Sequence, residues 1–229
     1  RMLVNSINFE SGEEKAEKLV ALARQFGAGL VALTIDETGM AMTADRKVEI
    51  AKRLIEFCEK RGLRRGDLLI DALTFTVCSG DGALRDAAKE TIAAIRRIKQ
   101  EFPGVRTILG LSNVSFGLKP AARKVLNTVF LDRCIKAGMD ACIINTAGLV
   151  PLTELAPAAI QLAEKLLDND VAEGDPLELF IQHFEAAEPE AEAGAAVAAQ
   201  TPEEQVAAAL VKGKAALLET AIPALLAKM

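Results

Sequence analysis

Short apolar runs alternate with amphipathic stretches from the first residues of the chain to about residue 170. The runs "MLVN", "GLVALTI", "DLLID", "RTILGLS" and "DACIIN" read as strands. Between and after them lie "EEKAEKLVALARQFG", "ADRKVEIAKRLIEFCEKRG", "ALRDAAKETIAAIRRIKQEF", "KPAARKVLNTVFLDRCIKAG" and "LTELAPAAIQLAEKLLD", which read as helices. In the second of these, Val48, Ala51, Leu54, Ile55 and Cys58 recur at spacings of three and four and so form one core-facing stripe. The strands lack strict polar alternation, as parallel strands under a layer of helices do. A repeating strand–helix order of this kind predicts an α/β fold, a TIM-barrel-type (βα) repeat with right-handed crossovers.

Composition removes several functions before any motif is weighed. With 51% apolar residues the chain can bury a large core. Its 27 basic and 32 acidic residues give a net charge of -5, with no basic block to neutralise phosphates, so no nucleic-acid partner is expected. No apolar run reaches the length of a membrane span and no signal peptide opens the chain, so no membrane partner and a cytoplasmic location are expected. Cys58, Cys78, Cys134 and Cys142 stand far apart and read as free thiols.

Past residue 170 the character changes. Residues 171–200 read as an interdomain helix and linker, because Glu185 to Gln200 is rich in Ala and Glu and poor in large apolar residues. Residues 201–229 read as an all-α helical hairpin: Thr201 and Glu204 form a T-x-x-E capping box, and Gly213 separates the two helices. The hairpin is expected to open a further module. The start at Arg1 with Met2 behind it, and the lack of a closing element after the hairpin, suggest a fragment of a longer protein.

The chemistry gathers where the strands end. Asn5 and Ser6, Asp36, Asp71, Ser112 and Asn113, and Asn145 each close one strand, and in a βα barrel those ends line the active-site face. Asp36, in "DETG", fits a turn former. Asp71, in "LLIDAL", places a carboxylate among apolar neighbours, where it needs a partner that donates several hydrogen bonds. His183, the lone histidine, lies in "FIQHFE" and reads as a surface or interdomain residue.

The runs "VNSIN" and "LLIDALTFTV", and above all "GLSNVSFGLKPAARKVLNTVFLDRCIKAGMDACIIN", resemble the pterin-binding barrel of cobalamin-dependent methionine synthases. The S-N-V-S motif followed by R-x-x-L-N-x-x-F-L is the specific part, and the likeness covers residues 1 to about 170. Corrinoid methyltransferases of the acetyl-CoA pathway and, more distantly, dihydropteroate synthases share that fold. Further on, "DPLELFIQHFE" and "TPEEQVAAALVKGKAALLE" are similar to the link into the cobalamin-binding module and the first helices of its cap.

The resemblance implies a methyltransferase that binds 5-methyltetrahydrofolate as substrate and passes its N5 methyl group to cob(I)alamin, a half-reaction of methionine synthesis. It implies cobalamin bound mainly outside this chain, and as partners the cobalamin-binding and homocysteine-binding modules of the same enzyme. Position by position, it makes Asn5 a pterin contact and Asp71 the holder of the pyrimidine edge, whose N3 hydrogen and 2-amino group are two donors side by side. Gly110 and Ser112 form the floor, Asn113 is the catalytic candidate that hydrogen-bonds N5, Arg123 reaches in from the next helix, and Ile143 lines the wall. No metal ligand is implied, since the Asp-x-His-x-x-Gly cobalt motif does not occur here. Only the last five strands of the eight-stranded pterin-binding barrel are recognisable, and five strands do not close a barrel of that size.

Other readings remain beside this one. A corrinoid protein methyltransferase of the acetyl-CoA type lacks the attached module. A dihydropteroate synthase needs a phosphate-binding basic residue in its last loops, and "IINTAGLVP" has none. A noncatalytic partial domain serves as an interaction surface only.

Overall fold

Five parallel strands lie side by side in the order in which they occur along the chain, forming a curled half-barrel. The structure, a computed structural model, describes residues 2–187. Its strands are β1 (Leu3–Ile7), β2 (Gly29–Leu33), the two-residue β3 (Ile35–Asp36) and β4 (Gly39–Met40), β5 (Leu68–Asp71), β6 (Arg106–Gly110) and β7 (Ala141–Ile143). The helices are α1 (Glu13–Gln25), α2 (Ala44–Lys60), α3 (Ala87–Glu101), α4 (Pro120–Lys136), α5 (Pro157–Asp168) and α6 (Pro176–Ala187). β1, β2, β5, β6 and β7 form the sheet, while β3 and β4 make a small antiparallel hairpin just past the end of β2.

Strands joined by a helix return in the same direction, so neighbours in sequence become parallel neighbours in space. Within the described residues β1 and β7 each pair on one side only, so the sheet is open.

Register fixes which face each side chain takes, because the side-chain period along a strand is two. The pairings Leu30↔Leu68, Ile70↔Thr107 and Leu109↔Cys142 put these residues on the face covered by helices. The alternate set shares the concave face: Asn5↔Val31, Leu33↔Asp71, Asp71↔Ile108 and Gly110↔Ile143. Burial agrees with the assignment. Leu30, Leu68, Ile70 and Leu109 belong to the main hydrophobic cluster, whereas Val31 and Ile108 are buried but stand outside it.

The helices earn their positions with apolar stripes. On α2, Val48, Ala51, Leu54, Ile55 and Cys58 are all buried, as their spacing predicts. The helix is capped by Thr43, whose hydroxyl accepts from the Arg46 amide at 3.3 Å. On α4, Leu126 and Phe130 of the R-x-x-L-N-x-x-F-L run are fully buried.

The chain divides into two units, residues 1–184 and 185–229. The first takes in most of α6, which sequence placed in the interdomain segment, and buries Phe180 completely. The expected hairpin of residues 201–229 and nearly all of the expected linker Glu185–Gln200 lie outside the described residues.

Candidate functional site

Asp71 is the last residue of β5, the middle strand of the five, and its register places it on the concave face beside Leu33 and Ile108. Its side chain is half-buried. Oδ1 accepts the Leu73 amide at 2.8 Å, and Oδ2 has no partner among the described residues. Leu73 has a φ of 61°, an uncommon conformation for a leucine, and it turns the chain back so that its amide meets the carboxylate. Burial pushes the Asp71 carboxyl up to about 6, against the opposing pull of the Leu73 amide and of Lys47. A carboxylate held in this way has unused capacity for donors.

The loop after β6 is built from the stretch "GLSNVSFG". Leu111–Ser115 form a single 3-10 turn directly off the strand. Ser115 is buried and donates to Asn127 Oδ1 of α4 at 2.8 Å, while Arg123 Nε donates to the Ser115 hydroxyl at 3.1 Å and Arg123 Nη2 to the Ser112 carbonyl at 3.1 Å. The two polar motifs recognised in the sequence are thus halves of one network. The loop is also tied to the segment after β5: the Val77 amide donates to the Val114 carbonyl at 3.1 Å and the Thr76 hydroxyl to the Phe116 carbonyl at 2.8 Å.

That network leaves Asn113 outside it. Its side chain is exposed and makes no hydrogen bond among the described residues. A Cβ on Gly110 would lie 3.3 Å from Asn113 Nδ2, so glycine at the end of β6 is what lets the amide lie close over the strand. Ile143 is level with Gly110 on β7 and is 56% exposed, an apolar surface on the same concave face. Asn5 is exposed on β1, two residues' height below Asp71 in the register that runs through Val31 and Leu69.

The fold therefore brings Asn5, Asp71, Gly110 and Ile143 onto one sheet face, with Ser112 and Asn113 on the turn that continues β6. Arg123 comes to the same edge, with its described hydrogen bonds spent on the loop. Asn145 is used locally, its Oδ1 accepting the Ala147 amide at 3.1 Å. Asp36 is buried and closes the "DETG" turn: Oδ1 accepts the Thr38 amide at 3.1 Å and the Thr38 hydroxyl at 2.7 Å, and Oδ2 pairs with Arg46. Burial pushes the Asp36 carboxyl up, but the hydrogen bonds of Thr38 and the charge of Arg46 outweigh it and hold it below its ordinary value.

Sequence reasoning missed Lys47. It is completely buried at the first turn of α2, and it sits on the same stripe as Ala51, Leu54 and Cys58 at a spacing of four, three and four. A lysine on a core stripe was the available signal. Ser115 and Asn127 were quoted within motifs, but their pairing depends on how α4 packs and carries no sequence mark.

A cavity of about 250 Å³ lies between the loop after β5 and the start of α6, lined by Val77, Asp81, Arg85, Asn169 and Asp175 among others, and none of Asn5, Asp71, Gly110, Ser112, Asn113, Arg123 and Ile143 lines it. The site residues occupy the open concave face instead. Among the described residues no group of three or more His, Cys, Asp and Glu side chains is placed to hold a metal ion. No described helix is long and apolar enough to cross a membrane.

Parallel strands in sequential order with helices between them define an α/β domain of the barrel type. The chain belongs to the pterin binding enzyme family, whose profile matches residues 1–145. It is 44% identical over 190 residues to "Methionine synthase" of Mycobacterium tuberculosis (strain ATCC 25618 / H37Rv), a match covering 81% of this chain and 16% of that protein. It is 43% identical over 189 residues to "Methionine synthase" of Mycobacterium leprae (strain TN), covering 80% of this chain and 16% of the relative. The chain thus corresponds to about a sixth of the length of the curated relatives it matches.

Proposed function

We propose that this chain binds the pterin of 5-methyltetrahydrofolate on the concave face and presents its N5 methyl group to cob(I)alamin, as one half-reaction of methionine synthesis. The observation that carries this reading is Asp71: a half-buried carboxylate at the end of the middle strand, with one oxygen on a backbone amide and the other without a described partner. A pterin's N3 hydrogen and 2-amino group are two adjacent donors, which is what such a carboxylate lacks. Membership of the pterin binding enzymes and the likeness to two methionine synthases support it.

In this reading Asn5 contacts the ring, Gly110 and Ser112 form the floor, Ile143 packs on the wall, and Arg123 orders the floor loop through Ser112 and Ser115. As the bond between N5 and the methyl carbon breaks, its electron pair stays on N5, which needs a proton or a strengthened hydrogen bond. The neutral Asn113 amide can accept from protonated N5 or, rotated, donate to the unprotonated nitrogen, without competing as a base. Cob(I)alamin is the methyl acceptor and is carried by another module.

Residues 1–170 are then the carboxyl-terminal part of the barrel, 171–200 the connection, and 201–229 the first helices of a cobalamin-binding cap, in a cytoplasmic enzyme that also carries a homocysteine-binding module. Calorimetric titration of the full-length protein with 5-methyltetrahydrofolate tests the reading. Saturable binding that depends on Asp71 is expected, and absence of binding overturns it.

A further inference from the structure

Lys47 has no role in the mechanism above, and its surroundings are unusual. The side chain is 0% exposed, yet no carboxylate touches its Nζ among the described ion pairs. It donates instead to two backbone carbonyls, those of Ala72 and, at 3.3 Å, Leu73, and it lies 5.0 Å from the centre of the Phe75 ring. Thr91 of α3 adds its hydroxyl to the Leu73 carbonyl at 2.9 Å. All these contacts fall on the segment directly after Asp71.

An ammonium is a costly way to satisfy carbonyls, because taking a charge out of water is unfavourable unless something in the site needs that charge. Two carboxylates face it through space, Asp71 from β5 and Glu90 from α3. Glu90 already accepts the Ala44 amide at the start of α2. Asp71 is the carboxylate with an unused oxygen on the concave face.

We propose that Lys47 is a positioning residue for Asp71: its ammonium pins the Ala72 and Leu73 carbonyls, which sets the Leu73 amide on Asp71 Oδ1, and its charge keeps the carboxylate ionised for a ligand with paired donors. This rests on the assignment of Asp71 to the pterin. Two further facts accord with it. Leu73 holds its positive φ with its amide on Asp71 and its carbonyl on Lys47 and Thr91, so both ends of the strained residue are tied. Burial pushes Lys47 down to about 8 while Asp71 and Glu90 oppose the shift, so the lysine remains mainly charged at neutral pH.

The test is the pH dependence of tetrahydrofolate affinity, measured by calorimetry in the full-length protein for wild type, Asp71→Asn, Lys47→Gln and Lys47→Met. Lys47→Gln keeps a donor and loses the charge; Lys47→Met fills the volume with no polar group. A thermal melt accompanies each, and whichever of the two folds carries the test. In wild type the affinity should decline as pH falls through about 6, where Asp71 takes up its proton. Without the lysine charge that decline should begin at higher pH, so that near pH 6.5 the variant binds roughly tenfold more weakly, a gap that narrows toward about pH 8.5. A variant whose profile matches wild type overturns the inference, and so does a uniform loss at every pH, which marks a purely structural lysine. Failure of wild type to bind, or an Asp71→Asn protein that binds as wild type does, instead overturns the reading of the site itself.

Discussion

Asp71 ends β5 and Asp36 ends the short β3 just past the neighbouring strand β2, and the fold treats them in opposite ways. Asp36 is enclosed by its own turn: Thr38 donates twice to Oδ1 and Arg46 pairs with Oδ2, so every oxygen is served and the group stays strongly acidic. Asp71 receives one backbone amide, faces a buried lysine that bonds to carbonyls rather than to it, and is pushed up to about 6. The contrast separates two uses of the same residue type at the same edge. A saturated carboxylate holds the fold, and a carboxylate left short of donors has capacity for a partner that brings them.

The same division runs through the loop after β6. Ser115, Asn127 and Arg123 satisfy one another, while Asn113, within the same turn, stays outside their network. The largest effect is therefore expected at Asn113. In the full-length enzyme, Asn113→Ala should slow methyl transfer to exogenous cob(I)alamin by roughly 100-fold to 1000-fold, the scale of losing one preorganised donor, with folate affinity reduced less than the rate. Single-turnover kinetics at saturating folate read this directly. A normal rate with a melting temperature lowered by the loss of about 1 kcal/mol would reduce Asn113 to a loop cap.

The opposite pattern is expected at the saturated aspartate. Asp36→Asn removes the buried charge that pairs with Arg46, which keeps Glu49 as its other partner, and should cost about 2 kcal/mol of stability while leaving folate affinity near wild type. Because the folded-state acidity of Asp36 is enhanced, its contribution is present above the unfolded value near 4 and fades as pH falls through the lower folded value. Denaturant melts of wild type and Asp36→Asn should thus differ at neutral pH and converge in acid.

Asp71 should show the reverse sign. Its folded value of about 6 lies above the unfolded one, so the unliganded protein is favoured by the protonated group and loses that advantage as pH rises from about 4 to about 6. Asp71→Asn, which mimics the protonated form, should match wild type near pH 4. Near pH 7 it should be more stable by about 1 to 2 kcal/mol, after allowance for the partial exposure of the group. Melts that show destabilisation at neutral pH would place Asp71 with Asp36 among the structural residues.

The smallest effect belongs to the supporting network. Ser115→Ala removes the hydroxyl between Asn127 and Arg123 and should cost about 1 kcal/mol, with a modest loss of rate through the floor loop. A rate loss as large as that of Asn113→Ala would mean that the two halves of the loop are not separable.

Much of this was legible in the sequence because it rests on local pattern. The five strands and the α2 stripe follow from apolar runs and from a three-and-four spacing, and Asp71 and the Ser112–Asn113 turn follow from where those runs stop, whereas Asn5 does not close its strand as expected, because β1 runs on to Ile7. The small β3–β4 hairpin was not, since two-residue strands leave no period to read. Lys47 eluded the reading for a different reason. Its position on the stripe is visible, but what makes the burial tolerable is two carbonyls from the segment after β5 and two through-space carboxylates from β5 and α3, and those are tertiary. The difference between Asp36 and Asp71 is of the same kind. Both are aspartates after apolar strands, and only the partners assembled by the fold tell them apart.

The central claim is that Asp71 is held short of donors so that a pterin can supply them. The most direct measurement is calorimetric titration of 5-methyltetrahydrofolate into the folded full-length protein and its Asp71→Asn and Asp36→Asn variants at neutral pH. The account predicts that affinity falls at least about tenfold in Asp71→Asn, as one or more charge-assisted hydrogen bonds to the pyrimidine edge are lost, and stays near wild type in Asp36→Asn. Equal affinity in wild type and Asp71→Asn would contradict it.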